Sequence, residues 1–159
     1  MFPFEAIASA ATALEHSGLG QAARTTGWLY PLANLVHVLG AALLVGSIAT
    51  FDVQVLRRAR DVRALYHAAI SVAVSGFVLQ LATGPVLLSA DASMVVRNPA
   101  FQFKMAMLIF ALANVALFHR RFGRALKTGA PLDGARPLAA VSLASWILVL
   151  LAGRSIAYL

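Results

Sequence analysis

Residues Leu32–Val53 read LANLVHVLGAALLVGSIATFDV, apolar almost throughout yet holding Asn34, His37 and Asp52. A run of about 20 apolar residues is what a helix needs to cross the hydrocarbon core of a bilayer. Lipid offers no hydrogen bonds to a backbone, so a spanning segment of this composition is helical. Four such runs occur: Trp28–Leu56, Ala64–Ala90, Pro99–Phe118 and Pro137–Tyr158. They explain why only 12% of the 159 residues are charged and the mean hydropathy is +0.80, against about 25% charged in a soluble domain. The connections are short, which favours an all-α, up-down-up-down membrane bundle.

Local signals mark the helix ends. Asp61 is placed to cap the second helix. Asn98-Pro99 sets a cap before proline at the first helical position of the third. The turn-rich GAPLDGARP leads to Pro137 and the fourth. Gly84-Pro85 falls inside the second helix, where proline removes a backbone bond and predicts a kink. Phe4, Ile7, Ala8, Ala11 and Leu14 recur at helical spacing. Residues 1–27 therefore read as an interfacial amphipathic helix and linker, and residues 28–159 as the bundle. The N-terminus lacks a basic n-region with a small-residue cleavage site and is not read as a signal peptide. Ala42, Gly46 and Thr50 form a small-residue stripe suited to close helix approach.

The net charge is +7 and the sequence pI about 11.1. Arg57, Arg58, Arg60 and Arg63 lie between the first and second helices; Arg120, Arg121, Arg124, Lys127 and Arg136 lie between the third and fourth. Arg24, Arg97 and Arg154 lie on the other side. This short-loop asymmetry predicts a membrane protein with both basic loops in the cytoplasm and both termini outside. It accounts for the basic residues without nucleic acid as a partner. The expected surroundings are membrane lipid, a second copy of the chain or a redox partner. Absence of cysteine excludes disulfides, thiolate metal sites and covalent c-type haem attachment.

Ionisable residues within spanning helices are costly and functional by default. His37 follows Trp28 by nine residues, about 13 Å below the outer interface; Lys104 follows Pro99 by five, about 8 Å in from the same side. Asp52 follows His37 by fifteen residues, and His119 follows Lys104 by fifteen, a rise of about 22 Å. The first and third helices run in the same direction and sit diagonally in such a bundle. An outer site is therefore expected from His37, Lys104 and Gln80, with Asn34, with Arg154 near the rim, and with His16 folding in from the surface segment. An inner site is expected from Asp52, His67 and His119, as a proton site or a second cofactor site. The competing structural readings are that Lys104 and Arg154 snorkel to headgroups and that Asp52 pairs with Arg57 and Arg58. His67 and His119 are then simply solvated, and Asn114 is a helix–helix hydrogen bond.

A neutral imidazole in a bundle core is the usual axial ligand of b-type haem. The leading expectation is a haem b protein for electron transfer or oxidoreduction, with His37 as first ligand and Lys104 or Arg154 against the propionates. His16 or Met105 is the candidate second ligand, with a five-coordinate iron as the alternative. His67 and His119 are a candidate pair at the inner level. The alternatives are a metal-handling protein using His37, His67 or His119 with Met94 and Met105, since soft thioethers suit copper(I), and a structural accessory subunit.

The motifs LYPLANLVHVLGAALLVGSIATFDVQVL, TGPVLL and NPAFQFKMAMLIFALANVALFHR resemble an uncharacterised bacterial family of small four-helix membrane proteins, a domain of unknown function. The resemblance runs from about Glu15 to His119. It implies a bacterial inner-membrane location and that His37, Asp52, Asn98, Lys104 and His119 belong to the family pattern. A more distant likeness, carried by His37, Lys104 and His119, is to haem-dependent membrane protoporphyrinogen oxidase-like proteins; the sequence departs from them after His37, where it reads GAALLVGSIATFD. Copper-resistance D-type membrane proteins give a further analogy of small histidine-bearing helices.

Overall fold

The computed structural model describes residues 3–58 and 62–158. The elements are α1 (Pro3–Glu15), α2 (Gly18–Thr25), α3 (Leu29–Leu56), α4 (Val62–Ser89), α5 (Ala92–Val95), α6 (Pro99–Thr128) and α7 (Arg136–Ser155). Four of them, α3, α4, α6 and α7, are long and apolar enough to cross a membrane. The 28 residues of α3 rise about 42 Å, more than the ~30 Å hydrocarbon core requires.

Asn98 accepts hydrogen bonds from the backbone of Ala100 and Phe101 and so caps α6, with Pro99 at the first position. Helix α6 continues ten residues beyond the expected end at Phe118 and stops at Gly129, whose φ of 78° is one that glycine adopts freely. The expected Asp61 cap and Arg60 lie outside the described residues. Helix α4 continues through Pro85 to Ser89.

The bundle is a ring in which α3 packs on α4, α6 on α7, and α7 on α3, while α4 and α6 barely touch. The α3–α4 seam is made by backbone. A methyl group at Gly76 would lie 2.6 Å from both Gly40 O and Leu44 N, and one at Gly40 would lie 2.9 Å from Gly76 O. The stripe Ala42, Gly46, Thr50 is not the seam: all three are exposed, and nothing within the chain approaches Gly46. Leu44, Val45, Ala73, Ala111, Trp146 and Val149 form the middle of the core. Phe51, Val55, Phe118, Leu126 and Ala139 form the core near the basic loops.

At the opposite end, α1 and α2 dock across α5 and the end of α4. Ala11 of the expected stripe is buried, whereas Ile7 is exposed. The side chain of Phe4 lies outside the described residues. Arg24 ties the cap together: one guanidinium nitrogen donates to Ser89 O and Ala90 O, the other to Glu15 O at 2.8 Å. Glu15 in turn accepts from the Ser93 backbone at 3.0 Å. Hydrogen bonds from Ser93 hold the Glu15 carboxyl below its ordinary value of 4.5.

Two outcomes are expected. Gly76→Val lowers the thermal midpoint of the detergent-solubilised protein by several degrees, because overpacking costs about 1–3 kcal/mol, whereas Gly46→Val leaves it unchanged. Circular dichroism melts decide this, and equal midpoints would show that the seam does not depend on backbone contact. Because the folded-state value of Glu15 is depressed, its stabilisation is complete above pH 4.5 and fades as pH falls through the lower folded value. Hydrogen exchange of the α1 amides therefore accelerates in that acidic range, and in Glu15→Ala at neutral pH. Exchange that is insensitive to both changes would rule the contact out as an anchor.

Candidate functional site

Polar side chains inside the bundle fall into two groups. Toward the α1–α2 end, His37 on α3 faces α4. The Thr83 hydroxyl donates to Leu79 O at 2.6 Å, so its oxygen accepts from His37 Nδ1 at 2.8 Å. This order places the ring proton on Nδ1 and leaves Nε2 without a hydrogen bond to any described residue. The Gln80 side-chain amide donates to His37 O at 2.5 Å. Gly84 leaves room for the ring, whose Cε1 lies 3.8 Å from where a methyl group would stand. Lys104 of α6 is near enough to act on the ring electrostatically. Its stem lies across Gly153 of α7, with Cε 3.6 Å from the position of an added methyl.

The other members expected of this outer site stand elsewhere. Asn34, Met94 and Met105 are exposed. His16 is exposed at the end of α1, next to Glu15. Arg154 donates to the Tyr158 hydroxyl at 2.6 Å and lies over its ring, 4.9 Å from the centroid.

The second group surrounds a cavity of about 190 Å³ in the opening between α4 and α6. Its walls are almost wholly apolar, including Leu44, Phe51, Ala73 and Phe118, and Asp52, Tyr66, Asn114, His119, Ser142 and Trp146 are also among the lining residues. Asp52 does not reach out to Arg57 and Arg58. No ion pair forms among the described residues, and the carboxyl turns inward, 3% exposed, to the Ser142 hydroxyl. A carboxylate beside arginines at the interface would be solvated, but this position on α3 faces the core with Phe51 and Val55.

Asn114 donates to Leu138 O at 3.0 Å, bridging α6 and α7. His119 donates from Nδ1 to Val115 O at 2.8 Å, so its Nε2 accepts from the Tyr66 hydroxyl at 3.0 Å. Tyr66 contacts both histidines expected as a pair, with ring centroids 5.8 Å from His119 and 5.4 Å from exposed His67. Among the described residues, no three His, Cys, Asp or Glu side chains converge to hold a metal ion.

Two atoms at this cavity lack partners. Asp52 Oδ2 and Trp146 Nε1 are fully buried and make no hydrogen bond. Each buried polar group left unpaired costs about 1–3 kcal/mol. Trp146, Ser142 and Tyr66 went unread as site residues in the sequence. The available signal was a tryptophan in mid-helix, away from the interface where that residue is enriched.

No protein-family model, curated protein or solved structure matches this chain. The functional reading therefore rests on the geometry of these two groups.

One outcome tests the first group. Side-chain ¹⁵N spectra of His37 should show the Nδ1–H tautomer, and Thr83→Val should shift the ring toward the Nε2–H form. An Nε2–H ring in the unmodified protein would overturn the assigned direction of the Thr83 bond.

Proposed function

We propose that this protein is a membrane-embedded binding protein for a lipid-soluble molecule with a ring-sized, hydroxyl-bearing head. The observation that carries the reading is the pair of unpartnered buried atoms, Asp52 Oδ2 and Trp146 Nε1, on two residues that line one apolar cavity. The indole N–H only donates, and the carboxylate accepts. A hydroxyl both accepts and donates, so one such group answers both. The cavity of about 190 Å³ suits one substituted six-membered ring, since ~150 Å³ already accommodates benzene. The loose α4–α6 contact gives an apolar tail a way out toward lipid. Phenols and quinols are the class that combines these features.

The test uses a fluorinated 4-alkylphenol and the matching alkylbenzene, titrated into the detergent-solubilised protein and read by ¹⁹F line broadening. The phenol should bind about tenfold more tightly, the value of one to two net hydrogen bonds. Asp52→Leu and Trp146→Phe should each remove about that factor, and Ala73→Phe should abolish binding by filling the cavity. Equal binding of phenol and benzene, or full binding in Ala73→Phe, would refute the reading.

His37 favours a second reading, a haem b protein in electron transfer. Its Nδ1–H is fixed by Thr83 and its Nε2 is unbonded, the arrangement that an axial ligand requires, and the Lys104 cation is close. Bound haem would supply a one-electron couple, with Lys104 to neutralise a propionate. Absorption spectra of oxidised and dithionite-reduced protein from haem-replete cells decide it. A Soret band that His37→Ala removes supports it, and a flat visible spectrum excludes it.

A further inference from the structure

A second cavity, of about 430 Å³, opens at the basic end of the bundle, away from both groups of polar residues described above. Three arginines line it from three elements: Arg58 just after α3, Arg63 in the first turn of α4, and Arg136 at the start of α7. Seventy-eight positions of chain separate the first from the last, so their convergence is a product of the fold. None of the three makes a hydrogen bond or ion pair with another described residue. Asp133 is the one acid among the described lining residues.

The backbone is shaped to bring them together. Arg58 has φ 56°, in the left-handed region that a non-glycine residue enters at a cost. Gly129 and Gly134, with φ 78° and 80°, turn the α6–α7 connection around the cavity. Arg63 lies along Gly129, its Cδ and one guanidinium nitrogen 3.8 Å from where a side chain would begin. The α4 and α7 N-termini, each with a partial positive charge, also end here. Beside this charge the wall is apolar, with Val55, Val62 and Leu126.

All three arginines are exposed, so water screens their mutual repulsion, and an anion held among them would receive several charge-assisted hydrogen bonds at once. Arginine presents a planar fork that matches phosphate oxygens. An apolar wall at the membrane boundary suits the first carbons of an acyl or glycerol chain. We infer that Arg58, Arg63 and Arg136 form a site for a phosphate group carried by an anionic phospholipid, of the kind that basic pockets between spanning helices hold.

The positive-inside rule alone would also place arginines at this end, so the experiment separates a built site from a diffuse field. The full chain is purified in detergent and exposed to mixed phosphatidylglycerol and phosphatidylcholine of identical acyl composition. Retained lipid is counted by native mass spectrometry. Two triple variants remove the same charge from the same end: Arg58→Gln/Arg63→Gln/Arg136→Gln at the cavity, and Arg120→Gln/Arg121→Gln/Arg124→Gln on the exposed surface of α6.

The expected result is one phosphatidylglycerol retained per chain, at least a tenfold loss of occupancy in the cavity triple, and little change in the surface triple. Equal loss in both triples, or equal retention of phosphatidylcholine, would overturn the site. Arg63→Gln alone, expected to lose several-fold, serves if the cavity triple does not fold. Competition by inorganic phosphate separates the sources: displacement only at concentrations far above the lipid's supports a lipid headgroup, and displacement at matching concentrations overturns the lipid and leaves free phosphate as ligand.

Discussion

The close backbone approach of α3 and α4 at Gly40 and Gly76 governs the rest of the bundle. With no side chain between them, the two helices meet at a distance no larger residue would allow. Helix α4 is thereby held to α3, while α6 is held by α7. The two pairs join through α3 and α7, and the fourth side of the ring, between α4 and α6, stays open. The cavity of about 190 Å³ lies in that opening. A tight seam on one side of the ring and a gap on the next are thus two results of one packing choice.

Inside such a bundle a polar atom finds its partner within the protein or goes without. Around His37 the demands are met in sequence except at Nε2: Thr83 gives its proton to Leu79 O and takes one from His37 Nδ1, and Gln80 covers the His37 carbonyl. Around the cavity they are met in part. His119, Tyr66 and Asn114 are satisfied, whereas Asp52 Oδ2 and Trp146 Nε1 are not. Among the described residues, the two fully buried side-chain atoms without a hydrogen bond both belong to residues lining this cavity, which separates it from the rest of the interior.

The two ends of the bundle are finished differently. At one end α1 and α2 fold over the helix termini, and Arg24 and Glu15 satisfy backbone groups there. At the other, three arginines gather around a cavity without partners in the described chain. One end is closed by the protein's own hydrogen bonds, and the other carries charge that a membrane headgroup would complete.

Apolar run length, helix caps and loop charge made the four long helices legible in the sequence, because each is a local property that lipid or water imposes on the chain. Asn98 as a cap and Asn114 as a bridge between helices were legible for the same reason: a polar amide in those surroundings has few other outcomes. The sequence placed His37 and Gln80 at one level and Asp52 and His119 at another, since helical rise fixes depth. What it left undecided was rotation and partnership. Asp52 had arginines nearby in the chain, yet it turns to Ser142 across the bundle. Ala42, Gly46 and Thr50 had the spacing of a seam, yet Gly40 and Gly76 make it. Tyr66 contacts both histidines that depth alone had paired, and Trp146 was one apolar residue among many. Such choices depend on which helix faces which, and that is decided by the summed packing of distant residues, which no local spacing encodes.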